Sequence, residues 1–321
     1  LSQVIFAWAH SVGDAEALSL LFAAVVLAAH LILARAFYLQ SRSLFATHLG
    51  VLVVLAVSSS RLPEAQSDSF GMLALAVLLW LLGRDRPATA GVPAASVERR
   101  RSRWTLWLGI PFLSALWANL HGSFVCGLLV LVCWTIGAVA EAVWRQRGLH
   151  GVAGDAAVRR WVWLSELAVA ATCLNPYGIQ LVLYNVWFAD FRQLQDLPAW
   201  KPLVLLQPGG RELLASLLAA IVVFRLSRKQ WAVADVLLLA AFSFVFAGGV
   251  RMAWWYAAVF GVVVVPHLAD IGTRWAKAIS RPRSAASDAP QRPRLSLARS
   301  RSLSYTVMAL GVLWICLAFA P

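Results

Sequence analysis

Long apolar runs recur along the whole chain, and they constrain its fold more than any other feature. Of the 321 residues, 60% are hydrophobic and 13% are charged, whereas about 25% of a soluble domain is charged. A transmembrane helix needs about 20 mostly apolar residues, and these runs lack the alternation typical of barrel strands. The sequence therefore predicts an all-α fold, a polytopic helical transmembrane bundle.

The apolar runs predict about ten spans. A short amphipathic opening over residues 1–10 precedes them, and an aromatic-rich interfacial helix is predicted over residues 177–189. The predicted spans cover residues 17–39, 44–60, 69–83, 104–118, 122–144, 161–174, 212–226, 231–248, 252–268 and 304–320.

Charge and composition divide the chain into three predicted regions. Residues 1–272 form a transmembrane helical domain of about nine spans. Residues 273–302 are rich in Arg, Ser and Pro, which predicts a basic cytoplasmic linker without fixed structure. Residues 303–321 form a C-terminal transmembrane helix.

The net charge of +13 arises mainly in alternate loops between the predicted spans. Cytoplasmic loops carry an excess of Lys and Arg, so we assign the Arg-rich loops, such as residues 84–103 and 145–160, to the cytoplasm. The prediction is a multi-pass protein of the bacterial inner (plasma) membrane, with both ends of this chain outward. Basic loops of this kind meet anionic lipid, so we expect membrane lipid as a partner and no nucleic acid.

The turn Asn119–Ser123 joins two predicted spans and places polar side chains at the outer membrane surface. Polar groups there are costly unless they are used, which makes Asn119 and His121 candidate catalytic residues. Gly122 offers no side-chain obstacle to a close approach. The alternative is that His121 only caps the turn.

Further polar residues collect on the same predicted face, and each has two interpretations. Arg61 either pairs with Glu64 or grips a lipid phosphate through forked hydrogen bonds. Arg251 either extends to the interface or binds phosphate. The segment containing Asn175 and Tyr177 is a helix stop that could also line a sugar site. The candidate substrate-binding residues are Arg61, Arg251, Asn175, Tyr177, Trp200 and Lys201.

Two acidic residues within apolar runs raise a different hypothesis. Glu166 and Asp235 could form a proton relay in a transporter, or be neutralised structurally by neighbouring Arg side chains, the interpretation we favour. The four cysteines lie in apolar runs without metal-site spacing, so we expect no metal site. The sequence does not identify a cofactor.

Several segments together resemble a group of large bacterial membrane proteins. Trp117–Phe124 (WANLHGSF) resembles their WxNLHGGF signature, and Leu174–Gly178 (LNPYG) matches their LNPYG element. Residues 196–202 are similar to their EWxPP segment, residues 60–69 to their RPxxFS segment, and residues 1–4 to part of their first outer loop. These proteins are similar in layout to the GT-C glycosyltransferases, which implies a GT-C-like fold. The resemblance also implies a polyprenyl-phosphate-linked sugar donor used on the outer (periplasmic) face, with an acidic general base in the first outer loop.

The chain departs from this pattern at three points. Arg61 and Pro63 are spaced by one extra residue, and Ala199 stands where the group often has Glu. The loop with the expected acid would precede Leu1. The chain begins with Leu rather than Met and no signal peptide is evident, so we expect the sequence to be a fragment. Glu64, a candidate catalytic residue, and the nearby acids Asp14 and Glu16 are the substitutes that remain.

Two main function hypotheses follow. The first is a membrane glycosyltransferase that takes sugar from a polyprenyl-linked donor. The alternative is a non-catalytic scaffold or lipid-binding subunit, with further membrane subunits as partners. An acidic residue in a preceding outer loop would favour the enzyme.

Overall fold

The fold is all-helical throughout the part of the chain that the computed structural model describes, which is residues 1–58, 68–85, 96–187 and 200–279. The helices are α1 Ser2–Ser41, α2 Leu44–Ser58, α3 Asp68–Asp85, α4 Ser96–Leu120, α5 Phe124–Gln146, α6 Ala156–Thr172, α7 Ile179–Trp187, α8 Gly210–Leu226, α9 Val233–Ala247 and α10 Ala253–Ile279. The prediction of an all-α fold is therefore confirmed, while the GT-C-like layout stays a prediction.

Three described segments are long and apolar enough to cross a membrane: α1, α5 and the stretch Val250–Ile279, which contains α10. The helices α2 and α9 are apolar but shorter. Each of the first nine predicted spans coincides with a helix, and the predicted interfacial helix is α7. The last predicted span lies outside the described residues, and the number of spans stays a prediction.

The opening segment is separated from the first predicted span by a break inside α1, in agreement with the prediction. The backbone of α1 leaves the helical conformation only at Gly13 and Asp14, where the helix bends. Phe6, before the bend, packs against Phe70 of α3 with 5.4 Å between ring centroids. The helix axis of α1 therefore changes direction at the bend, and the part before the bend still packs against the bundle.

Helix α10 is the centre of the bundle. Every residue from Ala253 to Val265 is buried, as expected of a helix that is apolar on all sides. Phe37 of α1 occupies the space left open by Gly50 of α2 and Gly261 of α10. These small residues bring α1, α2 and α10 into close contact.

The outer surface of the bundle carries apolar stripes. Trp104, Leu108, Phe112 and Leu116 follow one another at intervals of four residues on α4, and all are exposed. Residues four apart lie on one helix face, so α4 presents a continuous apolar stripe. A contiguous exposed apolar surface marks a contact with a membrane or partner.

At the end of the bundle opposite the turn His121–Ser123, Asp270 connects α10 to the end of α8. Its carboxylate accepts hydrogen bonds from the hydroxyl of Ser227 (3.2 Å) and the backbone N–H of Arg228 (2.9 Å). It also pairs with Arg274 at 3.2 Å. Helix α10 thus extends beyond the predicted boundary at residue 272, so the first part of the predicted linker is helical up to Ile279; the rest of that linker lies outside the described residues.

Candidate functional site

The turn between α4 and α5 holds His121 in a hydrogen-bonded position. The backbone N–H of His121 donates to the carbonyl of Trp117 at 2.9 Å, which continues the pattern of α4 by one residue. The ring nitrogen Nδ1 lies 2.8 Å from Ser123 Oγ and 3.1 Å from the backbone nitrogen of Ser123. His121 is half-buried, and its orientation is set by these contacts.

The imidazole of His121 is neutral at physiological pH. Burial, and then the positive charge of Arg251, lower the pKa of His121 to about 4. Both effects penalise the protonated ring, because a buried cation loses hydration and a second cation repels it. The stacking of Trp255 on Trp117 (6.3 Å between ring centroids) places the segment that carries Arg251, four residues before Trp255, beside the same turn.

Arg251 is held against Trp200. Its guanidinium carbon lies 3.6 Å from the centroid of the Trp200 ring, which is a cation–π contact. The loop that carries Trp200 is attached to the end of α9 by a hydrogen bond from the backbone of Leu203 to the carbonyl of Ala247 (2.9 Å). Three residues predicted separately, His121, Trp200 and Arg251, therefore come together, and Lys201 follows as an exposed side chain.

Asn119 connects the turn to the loop after α6. Its amide nitrogen donates to the carbonyl of Ala115 and to that of Leu174, both at 2.8 Å. Since an amide NH₂ has two hydrogens, the nitrogen is fully used, and Oδ1 is the atom that could contact a ligand. The predicted loop around Asn175 is thus brought next to the turn.

Asn175 closes its own loop. Its amide nitrogen donates to the carbonyls of Thr172 (2.6 Å) and Gly178 (3.2 Å), while Oδ1 accepts from the backbone N–H of Tyr177 (2.7 Å). These bonds favour a structural role, and substrate binding by Asn175 stays a prediction. Tyr177 projects from this loop and is 68% exposed, so its ring is accessible to a ligand.

Gly122 does allow a close approach, but the approaching group belongs to the same chain. A side-chain carbon at this position would collide with the amide oxygen of Asn185 on α7. The amide nitrogen of Asn185 donates to the carbonyl of Leu181 at 2.8 Å, which fixes the side chain. Sequence reasoning did not select Asn185; an amide on a short, mostly apolar helix was the available signal.

Two further residues, Trp117 and Gly71, pack against the turn, and sequence reasoning selected neither of them as a site residue. Trp117 is 2% exposed, and its Nε1–H donates to Ser123 Oγ at 3.0 Å. Gly71 of α3 leaves the space that this pair occupies, since a side-chain carbon there would collide with Ser123 Oγ. Asp68 lies three residues earlier on α3 and hence on the same helix face.

Two predictions remain: the roles of Glu64 and Arg61, and the expectation of no metal site. Glu64 and Arg61 lie outside the described residues. Within the described ranges, no group of three or more His, Cys, Asp or Glu side chains is placed to hold a metal ion.

Comparisons of the chain with protein-family models, curated proteins and solved structures find no match.

Proposed function

We propose that this chain is a multi-pass protein of the bacterial inner membrane that transfers sugar from a polyprenyl-phosphate-linked donor at its outer face. One observation carries the proposal: the neutral His121, the cationic Arg251 and the aromatic Trp200 meet at one end of an apolar helical bundle. A lipid-linked sugar phosphate presents an anion, a ring and an apolar chain. The cluster of His121, Trp200 and Arg251 offers contacts to the anion and the ring, and the apolar stripe on α4 offers a contact to the apolar chain.

Arg251 is the proposed phosphate ligand. Guanidinium N–H groups form forked hydrogen bonds with phosphate oxygens, and stacking on Trp200 holds the group in place. In sugar transfer the phosphate leaves with the lipid, so negative charge develops on its oxygens as the glycosidic bond breaks. A fixed cation and fixed hydrogen-bond donors lower the barrier of such a step.

The sugar and its acceptor require other groups. The exposed ring of Tyr177 and the exposed side chain of Lys201, which follows Trp200 in the sequence, are proposed to contact the sugar. A general base would take the proton of the acceptor hydroxyl, and this role falls to a carboxylate. Glu64 is the candidate from sequence, and Asp68 is the candidate from the described structure, because it shares a helix face with Gly71 beside the turn.

The assignment to the outer face follows from charge. The described end opposite His121 carries Arg145, which pairs with Asp155 at 3.0 Å, and the Arg228 and Arg274 groups around Asp270. An excess of basic residues marks the cytoplasmic side. The end with His121 then faces outward, as does the proposed donor.

Replacing Arg251 by alanine is expected to weaken binding of a polyprenyl-phosphate sugar donor by about 1.5–3 kcal/mol, because a charge-assisted hydrogen bond is lost. Binding is measured with purified full chain in detergent or nanodiscs. Arg211→Ala is the matched control, since Arg211 is an exposed arginine at the start of α8. Equal affinity of wild type and Arg251→Ala would contradict the proposed role.

A second candidate function, a non-catalytic subunit, is favoured by Glu166. This carboxyl lies ten positions after the first residue of α6 and is exposed beside the exposed side chains of Trp163 and Leu167. A carboxyl on an apolar face within a membrane is costly unless a partner contacts it. Asp235, by contrast, is buried in the first turn of α9, where a helix terminus favours an anion, which favours a structural role for this acid.

If Glu166 contacts a partner helix, Glu166→Leu is expected to reduce the size of the complex extracted from native membranes with mild detergent. The size is measured by native electrophoresis and compared with that of Glu141→Leu, an exposed acid near the end of α5. An unchanged size for Glu166→Leu would contradict the subunit hypothesis.

A further inference from the structure

We infer that His121 serves the site as a hydrogen-bond donor through Nε2–H to an anionic phosphate oxygen, and that Ser123 and Trp117 are positioning residues that fix the ring in this tautomer. The inference deepens the proposed function and rests on it for the identity of the ligand. The tautomer itself follows from contacts within the chain.

The contacts of Nδ1 decide where the ring proton is. The backbone N–H of Ser123 points at Nδ1 with 3.1 Å between the nitrogens, and a backbone N–H can only donate. Nδ1 must therefore be the acceptor. In a neutral imidazole one nitrogen accepts and the other carries the proton, so the proton of His121 is on Nε2.

The hydroxyl of Ser123 reinforces this assignment. Its oxygen accepts the Nε1–H of Trp117 at 3.0 Å, and an indole nitrogen is a donor only. Because Nδ1 accepts from the backbone, the hydroxyl hydrogen is directed to it as well, with 2.8 Å between Oγ and Nδ1. The three side chains form one chain of hydrogen bonds. Trp117 donates to Ser123, Ser123 donates to Nδ1 of His121, and the ring keeps its own proton on Nε2.

Packing holds this chain of hydrogen bonds rigidly. The Trp117 ring stacks on Trp255 with 6.3 Å between centroids and 20° between planes. It fills the spaces that Gly71 and Gly127 leave on α3 and α5. Because the rings are close-packed, Trp117 cannot turn without displacing residues of α3, α5 and α10, and its Nε1–H stays directed at Ser123 Oγ.

Nε2 is the polar atom of the imidazole that is left for a ligand. No described residue forms a hydrogen bond with Nε2 of His121, while Arg251 lies close enough for its charge to act on the ring. An N–H donor beside a guanidinium suits a phosphate oxygen. In this tautomer neither nitrogen is available to take a proton from an acceptor hydroxyl, so the general base is a different residue.

Nitrogen-15 NMR of the full chain with labelled histidine tests the inference. At pH 7, His121, assigned through His121→Gln, should show a protonated Nε2 and an unprotonated Nδ1. Addition of inorganic phosphate or a polyprenyl phosphate should shift the Nε2–H resonance. A response to both probes identifies the anion itself as the ligand, and a response only to the lipid identifies the lipid phosphate.

Variants separate positioning from mere stability. Ser123→Ala keeps the backbone N–H at Nδ1, so the proton should stay on Nε2, but loss of the hydroxyl contact should shift the Nδ1 resonance and reduce phosphate affinity several-fold. Trp117→Phe should do the same to a smaller extent. Trp104→Phe, at an exposed position, should leave the His121 signal unchanged. A proton on Nδ1 in the wild type, or no shift with either phosphate probe, would overturn the inference. If the wild-type chain shows the expected tautomer and the response to phosphate but transfers no sugar, the proposed function alone is refuted.

Discussion

Replacing His121 by leucine is expected to lower the rate of sugar transfer by about 10²- to 10³-fold, the usual effect of removing one fixed donor from a developing anion. Leucine fills a similar volume but donates no hydrogen bond. The rate is measured as release of labelled sugar from a polyprenyl-phosphate donor by the purified chain in lipid.

Two controls accompany this prediction. His121→Gln retains an N–H donor and should recover part of the lost rate. His150→Ala removes an exposed histidine at the opposite end of the bundle and should have no effect. Turnover of His121→Leu equal to that of the wild type would remove His121 from the site.

Gly71→Ala is expected to destabilise the fold by about 1–3 kcal/mol, the cost of inserting a methyl group into a packed core. The added carbon would collide with Ser123 Oγ and would lie 2.7 Å from the ring of Trp255. Relief of this collision displaces Ser123 from His121, so phosphate binding should weaken as well. Thermal unfolding of the chain in lipid nanodiscs measures the first effect.

Gly272→Ala is the matched control for the same substitution. No atom lies within 4 Å of a side-chain carbon at Gly272 in α10, and alanine favours a helix by up to about 1 kcal/mol over glycine. This variant should be as stable as the wild type or slightly more so. If the two variants unfold at the same temperature, the packing around Trp117 and Ser123 is not as described.

The helices could be predicted from the sequence because burial in lipid and burial in a helical core select the same apolar residues. The predicted spans therefore coincide with α1–α6 and α8–α10, and the predicted interfacial helix with α7. Their ends were less predictable. The C-terminal extension of α10 contains the pair Asp270–Arg274, whose i,i+4 spacing is a local pattern. The contacts of Asp270 with Ser227 and Arg228, 43 and 42 residues away, leave no local pattern.

The site was predictable to a smaller extent. Sequence reasoning selected His121, Arg251 and Trp200 because polar or aromatic residues at span ends are unusual, and these three come together. It could not distinguish side chains that bind the backbone, such as Asn175, from those left for a ligand. It also missed Gly71 and Asn185, whose importance lies only in what packs against them.

The proposed function requires the cluster of His121, Trp200 and Arg251 to face the outer side of the membrane. The direct measurement uses intact cells, a chain whose native cysteines are replaced, and a membrane-impermeant thiol reagent. A single cysteine at Tyr177 (68% exposed) reports on the site, and one at Trp275 (66% exposed) reports on the other end of the bundle. If the His121 end faces outward, the reagent labels position 177 in intact cells and labels position 275 only after the cells are opened. The reverse pattern would contradict the outward orientation.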